Sequence, residues 1–380
     1  MRLAILLLCL MLVAAPVYSQ PADNPVNALT QDLSSKLSAH QDNLVFSPLS
    51  IECAMAALGL GARGETADEL WRALHLSPDN LDQFGGQLRE MTARNNGKTA
   101  EWVVANAVWT TNQEPPLPDY VARVKKVFGA EARALDFGQS EQARQTINSW
   151  VGQTTRQNIP ELLPQGAIDA SVRMVITNAV YFKASWKSQF DPKLTQNRPF
   201  RSPEGLQEVP TMTQQSTFGC FNGPGFQAVI LPYADSSVVA VVALPDSDDG
   251  LKKLVKRFDS KMLSAVLTES EPLELRIWLP RFTLRSTLQL IPTFQALGVS
   301  RIFGNGDLSG LTGKPGLFVS LIVHQAFVEV NEVGTEASAA TAVVITRSMP
   351  MEFKVDHPFL FMLVDRPSGT ILFSGQVRKI

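Results

Sequence analysis

Cysteine is scarce in this chain, with 3 among 380 residues. Cys9 lies in an apolar leader, which leaves Cys53 and Cys220. A chain of this length buries enough apolar surface to fold without disulfide staples, so both thiols are expected to be free. Histidine is scarce too. His40, His75, His324 and His357 stand far apart without metal-ligand spacing, so no metal is expected. No G-x-S-x-G elbow occurs, and Gly306-Asp307-Leu308-Ser309-Gly310 has the wrong spacing for one. Without a nucleophile–base constellation no catalytic residue is assigned and hydrolase chemistry is disfavoured. Excess charge of one sign is also lacking: Lys+Arg 34 against Asp+Glu 36 gives a net charge of -2. That balance offers no global attraction to nucleic acid or acidic lipid. There is no Asn-x-Ser/Thr acceptor, no internal repeat and no low-complexity segment.

Long apolar runs are missing except at the start. Met1-Arg2 precedes an almost wholly apolar stretch from Leu3 to Ala15, broken by Pro16 and followed by Val17-Tyr18-Ser19. The run falls short of the ~20 residues a membrane span requires. It has the form of a secretory signal peptide over residues 1–19. Export of a single domain over 20–380 is the expectation, with no membrane association, and the last residues, Val377-Arg378-Lys379-Ile380, carry no retention address.

What the chain does contain is 45% hydrophobic residues, patterned in two ways. The N-terminal half reads mostly as helix, with segments at 27–37, 50–60, 66–74, 81–93, 119–128 and 142–153. Ser47-Pro48 precedes the second of these, and Thr66 with Glu69 forms a capping-box pattern before the third. From Val172 onward the pattern favours strands: 173–186, 226–231 and 237–244 around a Tyr233–Ser236 turn, 273–279, 318–330 and 359–364. Helices followed by strands argue an α+β fold. Gly59-Leu60-Gly61-Ala62-Arg63-Gly64 matches a dinucleotide-binding fingerprint, but a helical run precedes it where the motif needs a strand. Helix termination by glycine is the better reading, and no cofactor is expected.

One stretch fits neither pattern. Between two strand candidates lies Asn331 to Met351, NEVGTEASAATAVVITRSMPM. A connection of that length inside a compact domain is usually functional. Read at a period of two, Thr335, Ala337, Ala339, Thr341, Val343 and Ile345 share one face. Glu336, Ser338, Ala340, Ala342 and Val344 share the other. The first face is uncharged and made of small or β-branched groups, suited to lie over a packed core. The composition is that of a strand not yet paired; an ordinary sheet strand is the alternative. The run Val343–Thr346 disfavours helix.

Glu332-Val333-Gly334-Thr335-Glu336-Ala337-Ser338-Ala339-Ala340-Thr341 resembles the hinge of inhibitory serpins. Further motifs resemble the same family in the same order: Asn43 to Ile51, Thr177 to Trp186, Asp356 to Phe361, and Gly369 to Gly375. The resemblance implies the serpin fold, with helices around a large central mixed sheet and smaller sheets, and an exposed reactive-centre loop over about 332–351. It implies a mechanism in which a protease cuts the loop, forms an acyl-enzyme and is trapped when the loop inserts as a strand. It further implies a sheet-opening cluster of Ser47, Ser50, Asn178 and His324. Trp186, Arg281 and Glu332 match the region where the loop first enters, with Arg281–Glu332 as an ion pair.

The bait has two candidates. Counted by the commonest spacing of the family, the resemblance points from Glu332 to Ser348, whereas counted back from His357-Pro358-Phe359 it points to Arg347. A guanidinium suits a deep pocket ending in a carboxylate, so a reactive bond between Arg347 and Ser348 and a trypsin-like serine protease as covalent partner are expected. A non-inhibitory carrier or storage serpin is the rival reading; such members often lose the small-residue hinge, which is intact here. The chain is expected to be monomeric. Heparin is not expected to act, because the helix over 81–95 carries only Arg89 and Arg94 against Asp82 and Glu90, and Arg123, Lys125 and Lys126 on the next helix are a weaker candidate.

Overall fold

The computed structural model describes residues 24–37, 43–98, 100–234, 236–334 and 351–380. The helices are α1 (Pro25–Leu37), α2 (Pro48–Gly61), α3 (Gly64–Ala73), α4 (Leu81–Arg94), α5 (Pro118–Phe128), α6 (Ser140–Thr154), α7 (Leu251–Arg257), α8 (Ser260–Glu269), α9 (Ile291–Ala296) and α10 (Ser309–Thr312). The strands are β1 (Leu44–Phe46), β2 (Ala100–Thr111), β3 (Glu131–Leu135), β4 (Met174–Ala184), β5 (Gln196–Ser202), β6 (Gly205–Gly223) and β7 (Phe226–Pro232). They continue with β8 (Val238–Pro245), β9 (Glu271–Pro280), β10 (Phe282–Gln289), β11 (Leu321–Val330), β12 (Met351–Lys354), β13 (Phe359–Asp365) and β14 (Thr370–Val377).

Two sheets organise the molecule. A nine-stranded sheet runs β1-β14-β13-β8-β7-β6-β9-β12, with β5 hairpinned onto β6. A five-stranded sheet runs β10-β11-β4-β2-β3. Its central strand β4 is mostly apolar and buried along nearly its whole length, as a strand covered on both faces must be. One face, with Met174, Ile176, Val180, Phe182 and Ala184, joins the main core. The other, with Val175 and Ala179, packs beneath Ala143, Ile147 and Val151 of α6.

Helix α2 is apolar all round, so it is buried within the core rather than laid on it. Its start follows from Ser47, whose Oγ accepts the Ser50 N–H at 3.3 Å, and from Pro48, preset for the first helical turn. It ends at Gly61, and Gly64 (φ +51°) opens α3, so the glycine triplet separates two helices. The expected capping box at Thr66 does not form. Thr66 Oγ1 accepts the Asp307 N–H at 2.9 Å, and Glu69 accepts the N–H groups of Ser300 (2.8 Å) and Arg301 (3.0 Å). Donors from a distant segment displaced the local ones.

The largest departure from the sequence reading is β2, a twelve-residue strand inside the half that reads as helical. Buried on both faces for much of its length, AEWVVANAVWTT shows no alternation, and its alanines read as helix formers. The strands β5, β6 and β10 and the helices α7 and α8 were likewise not anticipated. Cys53 and Cys220 are both free. Burial pushes the Cys53 thiol well up and the Cys220 thiol up to about 11, which keeps both in the unreactive protonated form.

Candidate functional site

The centre of the five-stranded sheet is a parallel seam. β11 and β4 pair in parallel from Leu321↔Val175 to Phe327↔Tyr181. The ladder stops there although β11 continues to Val330 and β4 to Ala184. Parallel pairing is the less stable kind per residue, so this seam is a place where the sheet is held comparatively weakly by its backbone.

Side chains bind the seam at its middle. His324 and Asn178 face each other in register, as do Asn178 and Asn106 across the β4–β2 ladder. His324 Nε2 accepts the Ser47 N–H at 3.2 Å, which fixes the proton on Nδ1, and Nδ1 donates to the Asn178 side-chain oxygen. The Asn178 amide donates to the Ser50 carbonyl at 3.0 Å, to the Ser50 hydroxyl and to the Asn106 side-chain oxygen. The Asn106 amide returns a bond to the Ser50 carbonyl at 3.2 Å. Every member is buried, and burial of His324 lowers its pKa to about 3, so the imidazole is neutral. Ser47, Ser50, Asn178 and His324 thus come together around the start of α2. Asn106 was missed. Its signal was a lone amide in the apolar run Val103-Val104-Ala105-Asn106-Ala107-Val108, where a buried polar group needs partners.

The second cluster lies at the open end of the seam. Glu332, 4% exposed, receives Arg281 Nε at 2.5 Å and a second bond from Arg281 Nη2. The Thr195 hydroxyl donates to the same carboxylate, a partner not anticipated from sequence. The backbone is pinned as well. The Phe190 N–H donates to the Glu332 carbonyl (2.8 Å), the Trp186 N–H to the Val333 carbonyl (2.8 Å), and Trp186 Nε1 to the Asn331 carbonyl (2.9 Å). The Trp186 ring stacks on Tyr233 at 4.2 Å and 18°. Trp186, Arg281 and Glu332 are therefore one connected unit.

Gly334 is the pivot of that unit. The chain leaves β11, turns at Glu332-Val333 and brings Gly334 into antiparallel bridges with Asn331 on one side and Ser185 on the other. Its φ is +126°, and a Cβ built there would fall 2.3 Å from the Ala184 carbonyl oxygen and 2.5 Å from the Trp186 nitrogen. Only glycine fits. The rest of the expected hinge, Thr335, Glu336, Ala337, Ser338, Ala339, Ala340 and Thr341, and the expected reactive bond between Arg347 and Ser348, lie outside the described residues.

Comparison with known proteins follows the same lines. A sequence profile described as Serpin (serine protease inhibitor) matches residues 24–380. The leukocyte elastase inhibitor of Homo sapiens is 37% identical over 352 residues, covering 88% of this chain and 92% of that protein. An uncharacterized serpin-like protein of Thermococcus kodakarensis is 34% identical over 367 residues, covering 94% and 85%. Among solved structures, native protease nexin-1 with heparin superposes with a TM-score of 0.87 at 30% identity, covering 95% of this chain and 100% of that one. Uncleaved ovalbumin superposes at 0.86 with 26% identity and the same coverage.

Proposed function

Because this chain belongs to the serpin family, we propose that it is a secreted suicide inhibitor of trypsin-like serine endopeptidases. The observation that carries the proposal is the seat of Gly334 between Asn331 and Ser185. A chain continuing from that seat runs antiparallel to both β11 and β4. It would exchange one parallel ladder for two antiparallel ones, a downhill change in backbone pairing. Continuing the register of the two bridges sets Thr335 beside Val330 and Ala184, and Ala337 beside Val328 and Phe182. Thr341 would then fall between His324 and Asn178. The uncharged face of the loop would meet the core. Glu336 would lie on the opposite face beside Lys183 and Glu329, which are not buried.

The chemistry this supports is acyl trapping. The protease serine Oγ attacks the Arg347 carbonyl, the Arg347–Ser348 peptide bond breaks, and the amine leaves as a new N-terminus on Ser348. An ester joins Arg347 to the enzyme until water attacks it. Insertion that outruns water would carry the bound protease away from the loop's original position. The native state then owes its persistence to a kinetic barrier, which the His324 and Glu332 clusters hold in place.

Arg347 favours a trypsin-like target by charge. Relatives named leukocyte elastase inhibitor favour a second reading, in which Ser348 is the bait. Incubation with trypsin and with elastase, followed by a denaturing gel, decides between them. A covalent complex with trypsin supports the proposal. A complex with elastase alone supports the second reading, and clean cleavage by both without a complex makes the chain a substrate, as a carrier would be.

The leader at 1–19 supports export of 20–380, which we expect to be one monomeric domain, and among the described residues no helix is long and apolar enough to cross a membrane. Activation by heparin through α4 is disfavoured by geometry. Arg94 is held by Asp365 in a two-pronged pair (3.0 and 2.6 Å), and Arg89 bonds the Lys126 carbonyl at 3.0 Å. On α5, Arg123 is paired with Asp82 at 2.7 Å.

A further inference from the structure

Two buried histidines in this chain are held in opposite ways. His324 has a donor facing one ring nitrogen and an acceptor facing the other, which suits a neutral ring. His357 has acceptors facing both. Its Nδ1 lies 2.8 Å from Asp356 Oδ1, and its Nε2 lies 2.7 Å from the Pro245 carbonyl oxygen. A neutral imidazole carries one N–H, so it serves one of the two and sets lone pair against lone pair at the other. The imidazolium donates from both nitrogens and satisfies both acceptors. The ring is buried, so water does not stand in for either partner.

The surrounding charge asks for the same proton. Arg201 Nε pairs with Asp248 at 2.7 Å, and Arg201 Nη2 pairs with Asp356 at 2.9 Å. Asp248 also lies 3.8 Å from His357 Nδ1. Two carboxylates thus face one guanidinium, and a doubly protonated ring brings the four groups to zero net charge. The flanking elements supply no further free cation. Asp246 and Asp249 share the turn 245–250 with Asp248, and Lys354 on β12 is paired with Glu352.

What these groups hold together is the junction between β12 and β13. Residues 355–358 cross the ends of three strands. The Val355 N–H donates to the Trp278 carbonyl of β9 at 2.9 Å, and the Arg201 N–H of β5 donates to the Asp356 carbonyl at 2.8 Å. The His357 ring reaches Pro245 at the end of β8. β12 itself has four residues, paired in parallel with β9, and it is where the described chain resumes after the expected reactive bond. So short a parallel ladder holds weakly by its backbone and leans on the junction that follows it.

We propose that Arg201, Asp248, Asp356 and His357 form a pH-sensitive clamp, which fastens the β12–β13 junction while the ring carries its second proton and slackens when that proton leaves. Histidine changes charge between about pH 5 and 8, so the clamp responds within the physiological range. Its response is opposite in sign to that of His324. The clamped junction gains hold as pH falls, because the folded form binds the second proton better than a slackened one, and loses hold as pH rises. The proposal does not depend on inhibitory activity, because the clamp fastens the junction whatever the loop does.

The test is nitrogen magnetic resonance of the full chain labelled in its histidine rings, from about pH 5.5 to 8.5. With 4 histidines in the chain, His357→Gln assigns the signal. At the acid end both ring nitrogens of His357 are expected to read as protonated, with one losing its proton as pH rises. Asp356→Asn, which removes one of the two carboxylate charges, should move that loss to lower pH. Amide hydrogen exchange, corrected for the intrinsic effect of pH, reads the hold on the junction. In the wild type, protection of the β12 and Val355 amides should fall roughly fivefold or more between about pH 6 and 8, while protection in β4 does not fall with it. His357→Gln should lose that pH dependence. A ring that is singly protonated at the acid end, or a titration unmoved in Asp356→Asn, overturns the proposal. So does β12 protection that stays flat across the range or falls equally in β4.

Discussion

His324 Nδ1 donates to the side-chain oxygen of Asn178, its direct partner across the parallel seam between β11 and β4. That bond needs the proton on Nδ1, and Nε2 must stay unprotonated to accept the Ser47 N–H, so the pair of bonds requires a neutral ring, which burial enforces by lowering the pKa to about 3. A side-chain contact thus closes the sheet where the backbone ladder is weakest.

Stability should therefore fall as acid is added. In the unfolded chain the His324 ring titrates near ~6.5, so below that pH the unfolded state binds a proton the native state refuses. The native state loses stability from about pH 6.5 down toward the folded value, by ~1.4 kcal/mol per pH unit for this group. Calorimetry of the wild type and His324→Gln between pH 7 and 5 checks it. The wild-type Tm is expected to decline more steeply than that of the variant, and parallel curves would mean that His324 protonates without opening the cluster.

Gly334→Ala should be far more damaging than its size suggests. The added methyl would press on the Ala184 carbonyl and the Trp186 nitrogen, in a backbone conformation that alanine resists. The bridges to Asn331 and Ser185 would break. The expected outcome is a larger number of inhibitor molecules consumed per protease, read by titrating active trypsin, together with a lowered Tm.

Arg281→Ala should leave the Glu332 carboxylate buried without its cation. Removing one partner of a buried pair costs ~3–5 kcal/mol, but the Arg281 side chain is itself 43% exposed, so about 2 kcal/mol is the expectation. For a chain of this size that corresponds to a Tm drop of several degrees. Arg281→Lys, which keeps the charge, should recover most of it in the same thermal melt.

Thr335→Arg and Glu336→Gln should behave oppositely. In an inserted loop, the register continued from Gly334 would turn residue 335 toward the core beside Val330 and residue 336 toward solvent beside Lys183. An unpaired guanidinium carried into the core costs several kcal/mol, so trypsin should cut Thr335→Arg and escape. Glu336→Gln should retain the covalent complex. Equal yields on a denaturing gel would dismiss insertion as the trapping step.

The cut is expected between Arg347 and Ser348. Counting from Glu332 by the commonest family spacing reaches Ser348 instead, so a bait at Arg347 would make the loop one residue shorter on its hinge side. One strand residue is only ~3.3 Å of reach, which a mobile trapping step tolerates, whereas a misplaced guanidinium in an elastase-like pocket is not tolerated. Mass spectrometry of the fragment released from the complex gives the answer: Ser348 as its new N-terminus agrees, and Met349 refutes the assignment.

The sequence by itself determined the family, the helix α2 with its Ser47–Pro48 start, the free thiols and the pairing of Arg281 with Glu332. These rest on local signals, such as a cap, a glycine or a motif, or on motifs whose order along the chain is itself informative. Tertiary structure alone decided the rest. β2 could not be read because a strand buried on both faces loses the alternation that marks strands. Asn106 and Thr195 join their clusters only because β2 and the Thr195 segment are brought beside residues at least 56 positions away. Thr66 and Glu69 abandoned their local cap for donors more than 200 residues downstream. The seat of Gly334 between two strands is of the same kind. A glycine in a sequence signals freedom, but which carbonyl and which nitrogen crowd it is settled only when β4 and β11 lie side by side.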